Sequence, residues 1–118
     1  MTGQSDMRWR TRTFALRVMR LAAVLEPNYI ARTIGRQILR SGTSVGANYL
    51  SACRARSKRE FVARLGIVIE EAEETLFWLE MLRDGNLIPE SRLGALIQEA
   101  NELVSILVVR RATARTRG

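Results

Sequence analysis

The sequence predicts an all-α fold, an antiparallel up-down four-helix bundle, and three observations carry that expectation. Apolar residues recur at spacings of three and four through four successive segments. Only two prolines interrupt the 118 residues, so long helices are permitted. The breaks between segments are short and carry capping residues, which sets consecutive helices antiparallel. No alternating pattern competes as a strand. A chain of 118 residues is sized for one domain with one core, and an apolar share of 47% is too high for disorder.

The first helix is read from Phe14, Val18, Leu21 and Leu25, which form one apolar stripe that ends before Pro27. Asn28 is a good N-cap for the second helix, whose stripe runs Ile30, Ile34, Ile38, Ser41, Val45, Asn48 and Ala52. Ser57-Lys58-Arg59-Glu60 fits the capping box S-x-x-E and starts a third helix along Phe61, Leu65, Val68, Ala72, Thr75, Leu79 and Leu82. Ile69, Leu76 and Phe77 widen that apolar face. Gly85 suits a left-handed C′ position, and Pro89 suits N1 of a fourth helix carrying Leu93, Ile97, Ala100, Val104 and Leu107. The domain expectation is a flexible basic N-terminus over 1–11, the bundle over 12–110 and a disordered basic tail over 111–118.

Within the second helix, RSGTSVGAN at residues 40–48 has an unusual composition. A phosphate-cradling loop is a poor match, because GTSVG lacks the following Lys-Ser/Thr and no strand precedes it. The stripe instead crosses the segment in register. Gly42 and Gly46 lie one turn apart, and small side chains let helix backbones approach closely. Each glycine costs about 1 kcal/mol of helix propensity relative to alanine, so a close contact is expected to offset it. Asn48, on the core side, is expected to act as a polar pin whose amide bonds a neighbouring helix.

The formal net charge is +7 and the pI is near 11.1, which points toward a polyanion or an acidic partner. Residues 1–64 hold 13 Lys and Arg against 3 acids, residues 65–109 hold 2 against 9, and residues 110–118 hold 4 against none. The chain contains one cysteine, Cys53, and no histidine, so Ser-His and Cys-His nucleophile pairs and imidazole metal sites are excluded. The N-terminal stretch resembles an Arg-rich transit peptide, but Arg17 and Arg20 interrupt its apolar run and leave no h-region. The expectation is a cytoplasmic protein with no membrane role, no cofactor and no metal.

The run QILRSGTSVGANYLSACRARSKREFVARLGIVIEEAEETLFWLEML resembles the four-helix-bundle proteins encoded in intervening sequences of bacterial 23S rRNA genes, the S23 ribosomal protein family. Their pattern Q-L-x-R-[small]-x-x-S-[IV]-x-x-N followed by R-x-S-x-x-E-F is met by Gln37, Arg40, Ser44, Val45 and Asn48, then by Arg56, Ser57, Glu60 and Phe61. The accessory variability protein of diversity-generating retroelements looks similar. The resemblance implies a ring-forming homo-oligomer, typically a pentamer, with a basic surface. It further implies, from the retroelement relatives, partners in RNA or DNA and in a reverse transcriptase. The usual acidic-glycine step after the Asn is here Tyr49-Leu50-Ser51-Ala52-Cys53, and the usual serine-bearing step of helix three is Val68-Ile69-Glu70-Glu71.

Two sets of cations are candidate nucleic-acid contacts. Arg32, Arg36 and Arg40 repeat every four residues as a ridge with steps of about 6 Å, close to the spacing of successive phosphates, or else form a solvated face. Arg54, Arg56, Lys58 and Arg59 cluster at the turn between helices two and three, where their contacts would be sequence-blind and salt-sensitive. Glu70, Glu71, Glu73 and Glu74 either pair with a neighbouring subunit or face solvent. Trp9 is open between base stacking and an interface, while Trp78 is expected in an interface or the core. The function expected is a non-enzymatic, oligomeric nucleic-acid-binding accessory protein, an adaptor for a reverse transcriptase. The alternative is a protein-interaction bundle of the intervening-sequence type whose charge serves an acidic partner.

Overall fold

The computed structural model describes residues 3–25 and 27–117, and these form four helices with no strand among the described residues. The helices are α1 (Gly3–Ala23), α2 (Tyr29–Cys53), α3 (Lys58–Asp84) and α4 (Glu90–Thr116). They run up and down along a rod measuring 49 × 23 × 20 Å. Each helix packs on its sequence neighbour, whereas α1 and α4 meet over a much smaller seam. The fold is therefore the expected four-helix bundle.

The core follows the helical stripes. Phe14 and Val18 of α1, Ile38 and Val45 of α2, Leu65, Val68, Ala72, Leu79 and Leu82 of α3, and Leu93, Ala100, Leu103 and Leu107 of α4 are fully buried. On α2 the expected stripe holds at Ile38, Ser41, Val45 and Ala52 but departs at Ile30, which is exposed; Tyr49 is buried as well, and Ala31, Gly35 and Gly42 turn inward as small residues along the contact with α1. A Cβ on Gly42 would lie 2.6 Å from Val18 Cγ1, and one on Gly46 would lie 3.3 Å from the Thr11 carbonyl oxygen. The RSGTSVGAN segment is thus the helical small-residue face expected of it, with α1 as its close neighbour.

Its polar pin is a different residue from the one expected. Asn48 is half-buried, and among the described residues its amide makes no hydrogen bond. The buried polar link is made instead by Ser41 and Thr75, whose hydroxyls lie 2.8 Å apart between α2 and α3. Thr75 Oγ1 is also 2.8 Å from the Glu71 carbonyl oxygen. Ser41 sits in the centre of the stripe, where α3 covers it. Asn48 lies near its edge, where solvent can satisfy an amide.

The caps explain where the helices begin and end. Asn28 Oδ1 accepts the Ala31 amide at 2.9 Å, and Ser57 Oγ accepts the Glu60 amide at 3.1 Å. The capping box closes one residue early, for Glu60 Oε2 accepts the Arg56 amide at 3.1 Å rather than that of Ser57. At the end of α3 the left-handed residue is Asn86, with φ 59°, and Gly85 has φ −81°. Amide bonds from Asn86 to the Arg83 carbonyl and from Leu87 to the Leu82 carbonyl form a Schellman motif around it. Gly85 is needed for a different reason, since a Cβ there would lie 2.8 Å from the Met81 carbonyl oxygen. Pro89 occupies the N-cap of α4 instead of N1.

Both ends of the bundle extend beyond the expected domain limits. Residues 3–11 are the first turns of α1: Met7 and Thr11 are buried, and the Thr11 hydroxyl donates to the Met7 carbonyl at 2.8 Å. Met7, Thr11, Phe14 and Val18 continue one stripe, hidden in the sequence by the arginines around it. Residues 111–116 continue α4, and Arg111 Nε donates to the Val62 carbonyl of α3 at 2.9 Å. Met1, Thr2 and Gly118 lie outside the described residues.

Candidate functional site

Antiparallel helices bring the start of α1, the end of α2, the start of α3 and the end of α4 to one end of the rod. The turn residues Arg54, Arg56, Lys58 and Arg59 are all exposed there, and among the described residues none of them forms an ion pair. The fold adds two groups of cations that the sequence reading left as loose termini. Arg8 and Arg12 come from α1, and Arg110, Arg111, Arg115 and Arg117 come from the end of α4 and the residue after it. Arg8 and Arg110 both act on the Cys53 thiol of α2, so three helices converge on one neighbourhood. The up-down topology itself was the available signal, since it places these termini beside the α2–α3 turn.

Few acids oppose this charge. Glu60 lies at the same end, but its carboxylate is engaged by the Arg56 amide and by Arg64 Nε at 2.9 Å. These hold its pKa below the usual carboxylate value, the Arg56 backbone donor contributing most and the Arg64 side chain next. Arg64 also donates to Ser51 Oγ at 2.7 Å and ties the end of α2 to α3. The exposed cations of the turn repel one another, and a polyanion would relieve that repulsion.

The second predicted set, the α2 ridge, lies elsewhere. At about 1.5 Å per residue, Arg32 lies roughly 33 Å from Arg54 along α2. Arg32 donates to the Pro27 carbonyl at 3.1 Å, and Arg36 is exposed. Arg40 is committed within the bundle, paired with Glu71 at 3.4 Å and with Glu74. Trp78 Nε1 donates to the same Glu74 carboxylate at 3.4 Å and meets Phe77 edge to face at 5.0 Å. Glu71 and Glu74 therefore serve an internal pair, while Glu70 and Glu73 face solvent. The structure separates the seven predicted contact residues into two groups: among the described residues none of the four turn cations is ion-paired, and in the ridge Arg40 alone is.

Beneath the basic end, Tyr49 is 1% exposed, and among the described residues its hydroxyl has no hydrogen-bond partner. Burial, with the neighbouring Cys53 as the next cause, pushes its pKa up to about 12. Burial likewise pushes the Cys53 thiol up. Both groups keep their protons at neutral pH, so neither supplies an activated nucleophile. Among the described residues no cluster of three Cys, Asp or Glu side chains is arranged to hold a metal ion, and no helix is long and apolar enough to cross a membrane.

A family model described as 23S rRNA-intervening sequence protein matches residues 4–109. A crystal structure from Bacteroides thetaiotaomicron VPI-5482, of a protein of unknown function from the S23 ribosomal protein family, is 29% identical and superposes with a TM-score of 0.85. The match covers 94% of this chain and 99% of that one. No curated protein matches the chain.

Proposed function

The chain belongs to the 23S rRNA-intervening sequence protein family, and from that premise we propose that it is a non-enzymatic nucleic-acid-binding accessory protein whose basic end carries the contact. The observation behind this reading is the gathering of exposed, unpaired cations from four helix ends onto one face, where Glu60 is already engaged. Such a face contacts phosphates and reads no sequence. A binding role, as opposed to a catalytic one, is supported by the lack of histidine and by the raised Tyr49 and Cys53 pKa values.

In its finer form the reading makes the protein a cytoplasmic adaptor for a reverse transcriptase of a diversity-generating retroelement, acting as a homo-oligomer, with five copies expected. The basic excess, with a pI near 11.1, supports the adaptor role. Exposed Ile67 and Phe77 on the outer faces support assembly.

The test is binding of labelled RNA and of a DNA–RNA hybrid across about 50–200 mM salt, with the assembly mass followed by light scattering. The expected result is a steep salt dependence in which changing Arg54, Arg56, Lys58 and Arg59 together to Gln lowers the slope of log K against log salt by about 3. Unchanged affinity in that variant would refute the reading. Absence of binding even at low salt would leave a protein-interaction bundle whose charge serves an acidic protein. Co-purification with a reverse transcriptase encoded beside it tests the adaptor role separately.

A further inference from the structure

Between the outer faces of α1 and α2 runs a groove of about 580 Å³ that opens toward the basic end. This size lies within the range of small-molecule sites, about 300–1,000 Å³. Its floor is made of small residues, Ala15, Gly46 and Ala47, and a Cβ on Gly46 would lie 3.6 Å from Ala15 Cβ. Leu16, Met19 and Leu50 make the rest of its apolar lining. At one end stands Trp9, 66% exposed, beside Arg8 and Arg12. Among the described residues no carboxylate lines the groove.

A tryptophan left two-thirds in water gains little for the fold, and its indole face is open to a flat ligand. Arg8 and Arg12 are four residues apart, which sets them about 6 Å apart on the helix surface. An apolar trough, an open aromatic ring and two flanking cations match a nucleotide with a free base, whose ring stacks while its phosphates pair. A blunt duplex matches poorly because its bases are already stacked on one another.

We propose that this groove seats an unpaired base on Trp9, with the adjoining phosphates held by Arg8 and Arg12, so that the protein favours single-stranded nucleic acid or a single-strand junction over blunt duplex. The proposal rests on the nucleic-acid reading of the basic end and adds the form of strand bound. Trp9 supplies the discrimination, and the α2–α3 turn supplies charge that either form of strand can use.

The experiment measures fluorescence anisotropy of a labelled 12-nucleotide single strand (a probe length of about that size spans one small binding module) and of its blunt duplex. Wild type, Trp9→Ala, Trp9→Phe and the four-residue turn variant are compared at one salt concentration. Wild type is expected to favour the single strand about tenfold, and Trp9→Ala to lose about tenfold in single-strand affinity with the duplex unaffected. Trp9→Phe keeps an aromatic face and retains most of the affinity. Tryptophan emission is expected to be quenched by the single strand in wild type and unchanged in Trp9→Phe. Equal affinities for the two forms, or a Trp9→Ala variant that binds the single strand as wild type does, would overturn the proposal. A Trp9→Ala variant that changes assembly mass while keeping single-strand affinity would overturn it in favour of a second copy in the groove. Loss in the turn variant together with no effect at Trp9 rejects the groove alone; no binding of either probe by wild type rejects both readings. Trp9 is exposed enough that its variants keep the fold, checked by circular dichroism.

Discussion

Gly42→Ala is expected to destabilise the protein, although the same change in an ordinary helix stabilises it. Alanine gains about 1 kcal/mol over glycine in helix propensity. Here the added Cβ would meet Val18 Cγ1 at 2.6 Å and Val18 Cβ and Cγ2 at 2.9 Å. Val18 is fully buried and β-branched, so no rotamer takes it away, and its Cβ moves only if α1 moves. Overpacking of a core costs about 1–3 kcal/mol. With three contacts this short the cost falls at the top of that range, leaving a net loss of about 2 kcal/mol. An unfolding entropy of about 2.1 cal/mol/K per residue, taken over the chain, converts this into a drop in Tm of about 8 °C. Thermal unfolding followed by helical circular dichroism measures it. Gly94→Ala is the control, because its Cβ would meet only the Glu90 carboxylate at 3.3 Å, at the end of an exposed flexible side chain. That variant is expected to gain up to about 4 °C. Adding Val18→Ala to Gly42→Ala should cost less than the two changes summed. A Gly42→Ala protein as stable as wild type would refute the close-packing account of α1 on α2.

Four further outcomes follow from the same geometry. Ser41→Ala is expected to cost about 1 kcal/mol, and Ser41→Ala with Thr75→Val less than the sum, in denaturant unfolding, because removing both partners leaves no stranded hydroxyl on either helix. Tyr49→Phe is expected to raise stability at neutral pH by about 1 kcal/mol, since the hydroxyl it deletes is buried without a partner. The Tyr49 folded pKa of about 12 lies above the unfolded value of about 10, so its contribution is complete below pH 10 and lost as pH rises through 12; the phenylalanine variant should not show that loss. Glu60 carries the opposite sign: its folded pKa is lowered, so its contribution is present above the unfolded value of about 4.3 and lost as pH falls through the folded one. Glu60→Gln should therefore flatten stability against pH in the acid range. Arg40→Gln should leave nucleic-acid affinity nearly unchanged in an anisotropy titration, because that guanidinium is already held by Glu71 and Glu74.

The stripes of α2, α3 and α4 were legible because a helix with one buried face writes its periodicity into the chain. What misled was local crowding by charge. Met7 and Thr11 continue the α1 stripe, yet Arg8, Arg10 and Arg12 stand between them, so the first turns read as a basic arm. The inward turn of Ala31 in place of Ile30 was hidden for a different reason. Ile30 is the more apolar residue, but Ala31 fits the space that α1 leaves, and fit between two helices is not a property of one segment. The turn cluster was found because its four cations are neighbours in sequence. Its reinforcement by Arg8, Arg110 and Arg111 required the topology, and the diversion of Arg40 required knowing which acids α3 turns toward it.

The narrow seam between the first and last helices has a consequence for how the molecule breathes. Arg10 of α1 spans it, donating to Glu99 at 2.6 and 3.1 Å and to Glu102 at 3.3 Å, while α2 and α3 are held on both flanks by neighbours. Partial opening should begin at the flanks, which have least to break, so native-state hydrogen exchange is expected to release the amides of α1 and α4 before those of α2 and α3. Added salt weakens the Arg10 clasp, and it should quicken that early exchange while leaving the slowest amides alone.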